Sequence, residues 1–530
     1  MSQYDAIIVG GGHNGLVCTA YLAERFERVL VLERRHIVGG ACVTEEIFPG
    51  YKFLTLSYVT SLFRPEIIAE LELHKHGYEL IPLDRSFLPF PDGRYLLLGE
   101  GRDLEEIARF SKRDAEAWPK YGAMIAKLAD ALRPTLAATP PDLDKISSGE
   151  MLEMAPVAKV AKGLSRFARS QLVKVMTMSA SAFLDEWFES EELKTVMAAS
   201  GSIGIWGGPS TPGTAFVMMH YAMGDVTGEP GTWGLVRGGN GALSEAIASV
   251  ARARGAEIRT NAEVARVRVK DNRAVGVTLT TGEEIDAPIV ASGADPKRTF
   301  LGMLDRSELP ADFVTGMERY RVAGNSAKVN LALSGLPSFT ALPGEGVHLR
   351  GDIQIAGATR EYLERAFDDY RHGKWSSEPY IDLFLPSIMD PSLAPPGKHV
   401  LSAAAKYVPY ELADGPWTDE KREALGEVII DAIERYAPNI RELILHKQVI
   451  TVYDYEVEYG LTGGNISHGD MASDQLFSMR PLLGWARYRS PIRNLYLCGS
   501  GAHPGGGIMG APGRNAAREI IKDNRYRTTR

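Results

Sequence analysis

Apolar positions in this chain of 530 residues follow three rhythms, each predicting a different element. Short, wholly apolar runs that lead into glycine occur at Ala6-Ile7-Ile8-Val9, Ile289-Val290-Ala291 and Leu495-Tyr496-Leu497. Such runs predict buried strands of a parallel sheet whose two faces are both covered. Arg28 to Leu32 is a similar run, ending on the acid Glu33. Period-2 alternation marks 264–269, 274–279 and 284–290, with turns at Asp271-Asn272 and Thr281-Gly282, and predicts a β-meander. The same alternation runs through Ser326-Ala327-Lys328-Val329-Asn330-Leu331-Ala332-Leu333, with companion strands at 380–384 and 398–405. Helical spacing covers 104–132, 157–187, 240–254 and 418–436. Between Leu56 and Gly101, short apolar runs separated by turns such as Pro91-Asp92-Gly93 predict strands, and 134–148 predicts a loop.

The first run says most about chemistry. Gly10, Gly12 and Gly15 fill G-x-G-x-x-G between a strand and a helix, and Glu33 closes the next strand. Gly10 permits the tight turn, Gly12 lets backbone approach a pyrophosphate, and Gly15 lets helix and strand pack closely. Phosphates then meet unpaired N–H groups at a helix N-terminus, and Glu33 falls where a carboxylate accepts from ribose hydroxyls. The bland alternative is an ordinary glycine-rich turn; strand, glycines, helix, strand and acid in register favour the nucleotide site. His13, inside the turn, is expected to line the cofactor. A second pair, Gly39-Gly40, suits another close approach of backbone and points to FAD rather than NAD, because a flavin needs a further path through the protein. A disulfide-redox role for Cys42 would need a cysteine five residues on, where Ile47 stands; Cys42 reads as a small buried residue.

Bulk properties narrow the class. The length implies two or three intertwined domains. A net charge of −8 and a pI near 5.9, without basic runs, argue against nucleic acid. Cys18, Cys42 and Cys498 are too few and too far apart for a disulfide framework or a metal site. A first strand reached by Tyr4 leaves no room for a signal peptide, and no apolar run is long enough to span a bilayer. The expectation is a cytoplasmic protein.

Two stretches in the middle admit two readings each. Lys159, Lys162, Arg166 and Arg169 form a basic stripe beside Val160, Leu164 and Phe167, which fits a solvated helix face or peripheral contact with an anionic membrane. Trp206, Met218, Met219, Met223 and Trp233 suit the wall of an apolar pocket or plain core packing. At the far end, Leu497-Cys498-Gly499-Ser500 and His503-Pro504-Gly505-Gly506-Gly507-Ile508-Met509-Gly510 lead into a final helix whose N-terminus would favour negative charge on a reduced flavin.

With these segments the chain resembles the phytoene-desaturase-like FAD oxidoreductases of the flavin amine oxidase superfamily. The resemblance runs nearly end to end, through Gly10–Gly15, Glu33-Arg34, Gly39-Gly40-Ala41, 238–243, 292–296, 469–475 and 499–517. It implies an α/β fold: a Rossmann-like FAD domain of glutathione-reductase/amine-oxidase type, interleaved with a mixed-sheet substrate domain and a helical region. The FAD domain would comprise 1–100, 231–300 and 481–530, with helices at 101–230 and the substrate domain at 301–480. The family pattern places Gly10, Gly12, His13, Asn14, Gly15, Glu33, Arg34, Gly40, Ala41, Val264, Gly293, Gly499 and Ser500 at the cofactor, with Ile508 and Met509 facing the isoalloxazine. Many superfamily members carry an acid where Ser500 stands.

The resemblance further implies hydride transfer between an apolar unsaturated substrate and flavin, as in desaturases, saturases and isomerases. For proton transfer His503 is the first candidate, beside the flavin-facing turn; its alternative is pinning the 505–507 loop. His468 with Asp470 comes second. Lys328 is third, reaching flavin through water as a lysine does in amine oxidases, against a structural ion pair. Two other functions stand in competition. An amine oxidase needs an aromatic cage, which no Tyr or Trp pair near the C-terminal motif marks. A flavin-free lipid chaperone of the GDP-dissociation-inhibitor kind conflicts with the intact Gly10, Gly12, Gly15 and Glu33. No second strand-linked G-x-G-x-x-G indicates NADPH, so oxygen or quinone is the expected electron acceptor.

Overall fold

A computed structural model describes residues 3–525 except 84–85, 100, 144–158, 161 and 229–230. Three distant stretches of chain build one parallel sheet, in the order Leu495–Leu497, Val290–Ser292, Ala6–Val9, Val29–Leu32, Glu257–Arg259. Ile8 pairs with Ala291 on one side and Val31 on the other, and Ala291 pairs with Tyr496. All of these side chains are buried, as unbroken apolar runs require. The helices His13–Leu22, Asn240–Ala253 and Ala511–Asp523 pack together against it. The expected meander is present as Val264–Lys270, Arg273–Leu279 and Glu284–Asp286.

Three neighbouring strands, Leu495–Leu497 at the edge, Val290–Ser292 and Ala6–Val9, end together and lead into Gly499, Gly293 and Gly10. They are stitched across the top by Gly293 N donating to Val9 O (2.8 Å) and Cys498 N donating to Ser292 O (2.8 Å). A crevice outside the carboxyl ends of such strands is where open α/β sheets bind ligands.

The second sheet has seven strands, Ile444–Ile450, Ser326–Leu333, His399–Lys406, Ile381–Phe384, Asp352–Ile355, Ser86–Pro89 and Tyr95–Leu98. It is mixed because Asp352 and Ile353 pair in parallel with Ser86 and Phe87. Its two faces follow from alternation. Ala327, Val329 and Leu331 join Ile381, Leu383, Leu401 and Ala403 in a core covered by Leu425, Ile429 and Ile433 of the helix Asp419–Glu434. The opposite face carries Ser326, Lys328, Asn330, Ser402, Lys406 and Asp382, all buried, with Asp352 and Gln354 half-buried, so this polar row is built largely into the interior.

Three expectations need correction. The stretch 56–101 is not all strand: Pro65–Glu70 is a helix and Leu73–His76 a 3₁₀ turn, because Pro65 sits at the first helical position and Ile67, Ile68 and Leu71 share a buried face. The 104–132 helix is two, Asp103–Ala108 and Lys112–Leu132, restarted by Ser111, whose hydroxyl accepts from Asp114 N (3.0 Å). The basic stripe is interrupted at Leu164-Ser165, where Ser165 caps a new helix, Arg166–Thr177, by accepting from Ala168 N (3.2 Å). Residues 144–148 of the expected loop and 157–158 of the expected helix lie outside the described residues. No helix among the described residues is long and apolar enough to cross a membrane.

Leu331 is fully buried in the seven-stranded sheet's core. Leu331→Ala is expected to lower unfolding free energy by about 2–5 kcal/mol, read as a reduced urea midpoint.

Candidate active site

A cavity of about 510 Å³ opens at the glycine ends of the parallel sheet and extends to the polar face of the second sheet. The first strand–helix turn places Gly10, Gly12, His13, Asn14 and Gly15 on its wall, the next strand Glu33 and Arg34, and the following glycine pair Gly40 and Ala41. Val264, Gly293, Ser500 and Ile508 complete it from the meander, the fourth strand and the C-terminal turn.

Local geometry explains the residue types. A Cβ on Gly15 would stand 2.3 Å from Gly10 O, so helix and turn approach as closely as a missing side chain allows. Glu33 fixes the turn: Oε2 accepts from Gly11 N and Oε1 from Arg35 N, both at 2.8 Å. Burial raises its carboxyl above the usual range, with these two amides opposing. Asn14 Nδ2 donates to Ser500 Oγ (3.0 Å), joining the first turn to the last. The Cys42 thiol lies 3.3 Å from His13 Nδ1. Burial pushes Cys42 up to about 12, so it stays a thiol beside the imidazole.

Buried polar atoms without a protein partner gather on this wall: His13 Nε2, Asn14 Oδ1, Thr60 Oγ1, Ser61 Oγ, Arg298 Nε and His468 Nδ1. A buried unsatisfied polar atom costs about 1–3 kcal/mol, so their concentration on one cavity marks where a polar ligand completes them. The hydroxyls of Thr60 and Ser61 and the Arg298 guanidinium, beside Gly-rich backbone, fit a pyrophosphate, and Glu33 fits a ribose diol.

Residues 15–521 match the family model of flavin-containing amine oxidoreductases. The chain belongs to that family. A rat protein named pyridine nucleotide-disulfide oxidoreductase domain-containing protein 2 is 41% identical over 544 residues, covering 98% of this chain and 94% of its own. A lycopene-forming phytoene desaturase of Pseudescherichia vulneris is 26% identical over 542 residues, covering 98% of this chain and 99% of its own. Wild-type putrescine oxidase, solved with putrescine bound, superposes with a TM-score of 0.60 at 15% identity over 98% of both chains, which shows the shared fold. This flavin oxidoreductase is therefore an FAD-dependent enzyme, and the unpartnered polar atoms above fit the cofactor.

Several side chains expected at the site stand elsewhere. Met509 is fully buried in a cluster with Leu62 and Ala511; Ile508 alone of that pair reaches the cavity. Gly499 lies one step behind Ser500, where a Cβ would stand 2.4 Å from Gly293 O. His503 is not on the wall: its Nε2 meets Thr135 O at 2.8 Å, in a small space lined by Leu132, Phe216 and Phe477. The pinning of the 505–507 loop falls instead to His220, whose Nε2 meets Gly506 O at 3.1 Å. Asp470 is a clamp, accepting from Trp206 N (3.0 Å) and Arg321 Nε (3.2 Å). His468 does line the cavity. Lys328 is buried behind the wall, its amine donating to Leu54 O (2.5 Å) and Leu56 O (2.7 Å) and lying 4.7 Å over the Tyr58 ring. That is neither contact with the cavity nor an ion pair. Trp206 is half exposed against Phe367, and Met218, Met219 and Met223 pack the helical core; only Trp233 of that group, stacked on Tyr221, faces the cavity.

Others were missed. Arg298, Thr60, Ser61, Tyr455, Tyr459 and Lys406 all line the cavity. Arg480 is fully buried with no carboxylate; its guanidinium donates to Ser467 O, Gly469 O, Asp470 O, Gln475 O and Ser500 O, binding the 467–475 loop to the pyrophosphate side. Lys406 could have been found from 402–406 alternating in the same sense as 326–330, once the two strands were paired.

Gly15→Ala is expected to weaken FAD binding at least about tenfold, roughly 1.4 kcal/mol, measured by cofactor retention on ultrafiltration. Burial lowers His13, His220 and His503 from 6.5 to about 4. Between those values the unfolded chain binds more protons, so stability is complete above pH 6.5 and is lost as pH falls towards 4. Thermal midpoints across this window are expected to fall, less steeply in His503→Phe.

Proposed function

We propose that this enzyme oxidises an apolar, unsaturated substrate of isoprenoid type, with hydride passing to FAD. One observation carries the reading: the charges on the cavity wall near the second sheet. Leu56, Val59, Leu62, Ile203, Leu461 and Ile466 line it together with Tyr58, Tyr221 and Trp233. Its carboxylates, Glu33 and Glu263, lie at the turn after the second strand and beside Val264, and the ionisable group contributed by the second sheet is Lys406. An ammonium substrate would find no carboxylate among the described residues on that side to pair with, whereas a hydrocarbon meets side chains that give up little hydration. The amine-oxidase alternative is further disfavoured because Tyr221 and Trp233 stack on each other, 5.4 Å apart and 22° from parallel, and so present one shared face rather than two opposed walls. The phytoene desaturase relative is named for a substrate of the proposed kind.

FAD, when bound, supplies the hydride acceptor. The protein's part is to hold a C–H bond about 3–3.5 Å from the accepting atom and to exclude water. The aliphatic wall does both by shape. Oxygen or a quinone would reoxidise the flavin, since Gly505, Gly507 and Gly510 follow a turn and not a strand. Access for a lipid-soluble substrate would be aided by docking at a membrane surface through the exposed Lys162, Arg166 and Arg169 with Phe167 and Val173, which are 57% and 64% exposed.

Anaerobic mixing with phytoene, a shorter polyene, a quinol and putrescine tests this. Bleaching of the flavin band by a polyene is the expected result. Bleaching by putrescine alone would overturn the reading.

A further inference from the structure

We propose that Lys406 takes up the proton released when a substrate C–H/C–H pair is oxidised, with the Asp382–Asp352 carboxylates beside it as its counter-charge. The proposal rests on the oxidative reading above and assigns the residue that reading leaves open.

Lys406 is only 5% exposed, yet it lines the cavity, and its amine makes no hydrogen bond or close ion pair among the described residues. A lysine amine withdrawn from water and left without a partner is kept where a ligand or a proton arrives. Lys328, on the adjoining strand, is the contrasting case: both carbonyls of its cradle hold it in place, out of the cavity.

Cross-strand register places the counter-charge. Asp382 stands opposite Ala404, so Lys406, two residues further along the same face, is its diagonal neighbour, at roughly 7–8 Å between backbones and within a lysine's reach. Gln354 stands opposite Asp382, and Asp352 lies two residues from it on that face. The Asp382 carboxylate accepts from Tyr380 OH (2.5 Å) and from the cavity-lining Tyr58 OH (3.2 Å), while Asp352 accepts from Gln354 Nε2 (2.5 Å). The groups facing Lys406 are therefore Asp352, Asp382, Tyr380, Tyr58 and Lys328. Burial lowers the amine below the ordinary lysine range, with the Asp382 and Asp352 charges opposing, which favours the lone-pair form more than water does. Burial, with Asp382 beside it, pushes Asp352 up to about 8, so the pair can itself trade a proton.

The step balances. One C–H leaves with its electron pair as hydride to FAD. The electrons of the neighbouring C–H become the new C=C bond, and that carbon's proton goes to the Lys406 lone pair, giving an ammonium beside Asp382.

The first test needs no substrate. FAD-loaded wild type, Lys406→Met and Asp382→Asn are reduced anaerobically with dithionite in weak buffer containing an indicator dye, across pH 7–10. Reduction adds negative charge to the cavity and draws a proton onto a neutral amine there. Wild type is expected to take up as much as one more proton per flavin than Lys406→Met, and Asp382→Asn to move the pH of that difference downwards. Equal uptake by wild type and Lys406→Met at every pH would overturn the proposal. The second test uses phytoene as the probe: Lys406→Met is expected to slow flavin bleaching about 10²–10⁴-fold, the usual range for a positioned acid–base group, with half-saturation unchanged. If half-saturation rises while the rate holds, Lys406 anchors substrate and the assignment fails. If phytoene bleaches neither protein, the substrate reading fails while proton uptake still decides Lys406.

Discussion

The architecture depends on how closely the two ends of the chain can approach. A Cβ on Gly513, in the last helix, would stand 2.0 Å from Asn14 O in the first. The two helices cross with backbone against backbone, and the Asn14 side chain donates to Ser500 at the same place. Everything at the glycine ends of the sheet follows from this contact. It holds the last strand beside the fourth, brings Ile508 round to face Gly12, and makes a single cavity from segments separated by almost the whole chain. A side chain at 513 would push the C-terminal turn off the crevice, and the cofactor's two halves would lose their common wall.

The second sheet shows a different economy. Its alternating strands bury both faces, and only one is apolar. The helix-covered face is an ordinary core, whereas the other buries two lysines and two aspartates among hydroxyls and amides. Charges in such a place are costly unless each is answered. Lys328 is answered by carbonyls and an aromatic face, Asp382 by two phenols, and Asp352 in part by its own protonation. Lys406 alone is left facing open space. Fold and polar chemistry are thus divided by the period of two: odd positions of the 326–333 strand form the helix-covered core, and Ser326, Lys328 and Asn330 form the polar row, of which Ser326 reaches the cavity.

Most of the nucleotide-binding half was legible because its signals are local. A strand, a G-x-G-x-x-G turn and a terminal acid are contiguous, and the meander's alternation needs no knowledge of partners. The substrate half was legible as strands and opaque as a site. Lys328 and Lys406 look equivalent along the chain, and only the pairing register and the path of 54–58 decide which amine is tied down. His503 misled for a related reason. Adjacency to the flavin-facing turn in sequence said nothing about direction, and the loop turns the imidazole towards Thr135. Lys162, Arg166 and Arg169 are exposed, as a solvated helix face requires, although a serine cap at 165 divides the stripe.

Arg480 has a wider consequence. Its guanidinium is held by five main-chain oxygens and, among the described residues, by no carboxylate. Two of those oxygens belong to Ser467 and Ser500, residues on the cavity wall. The histidines around it, His220, His468 and His503, are lowered by burial and by this guanidinium, which lies one peptide group from the flavin's compartment. A fixed positive field there favours the electron-rich form of whatever it surrounds. The scaffold itself therefore favours the reduced form of the cofactor held there.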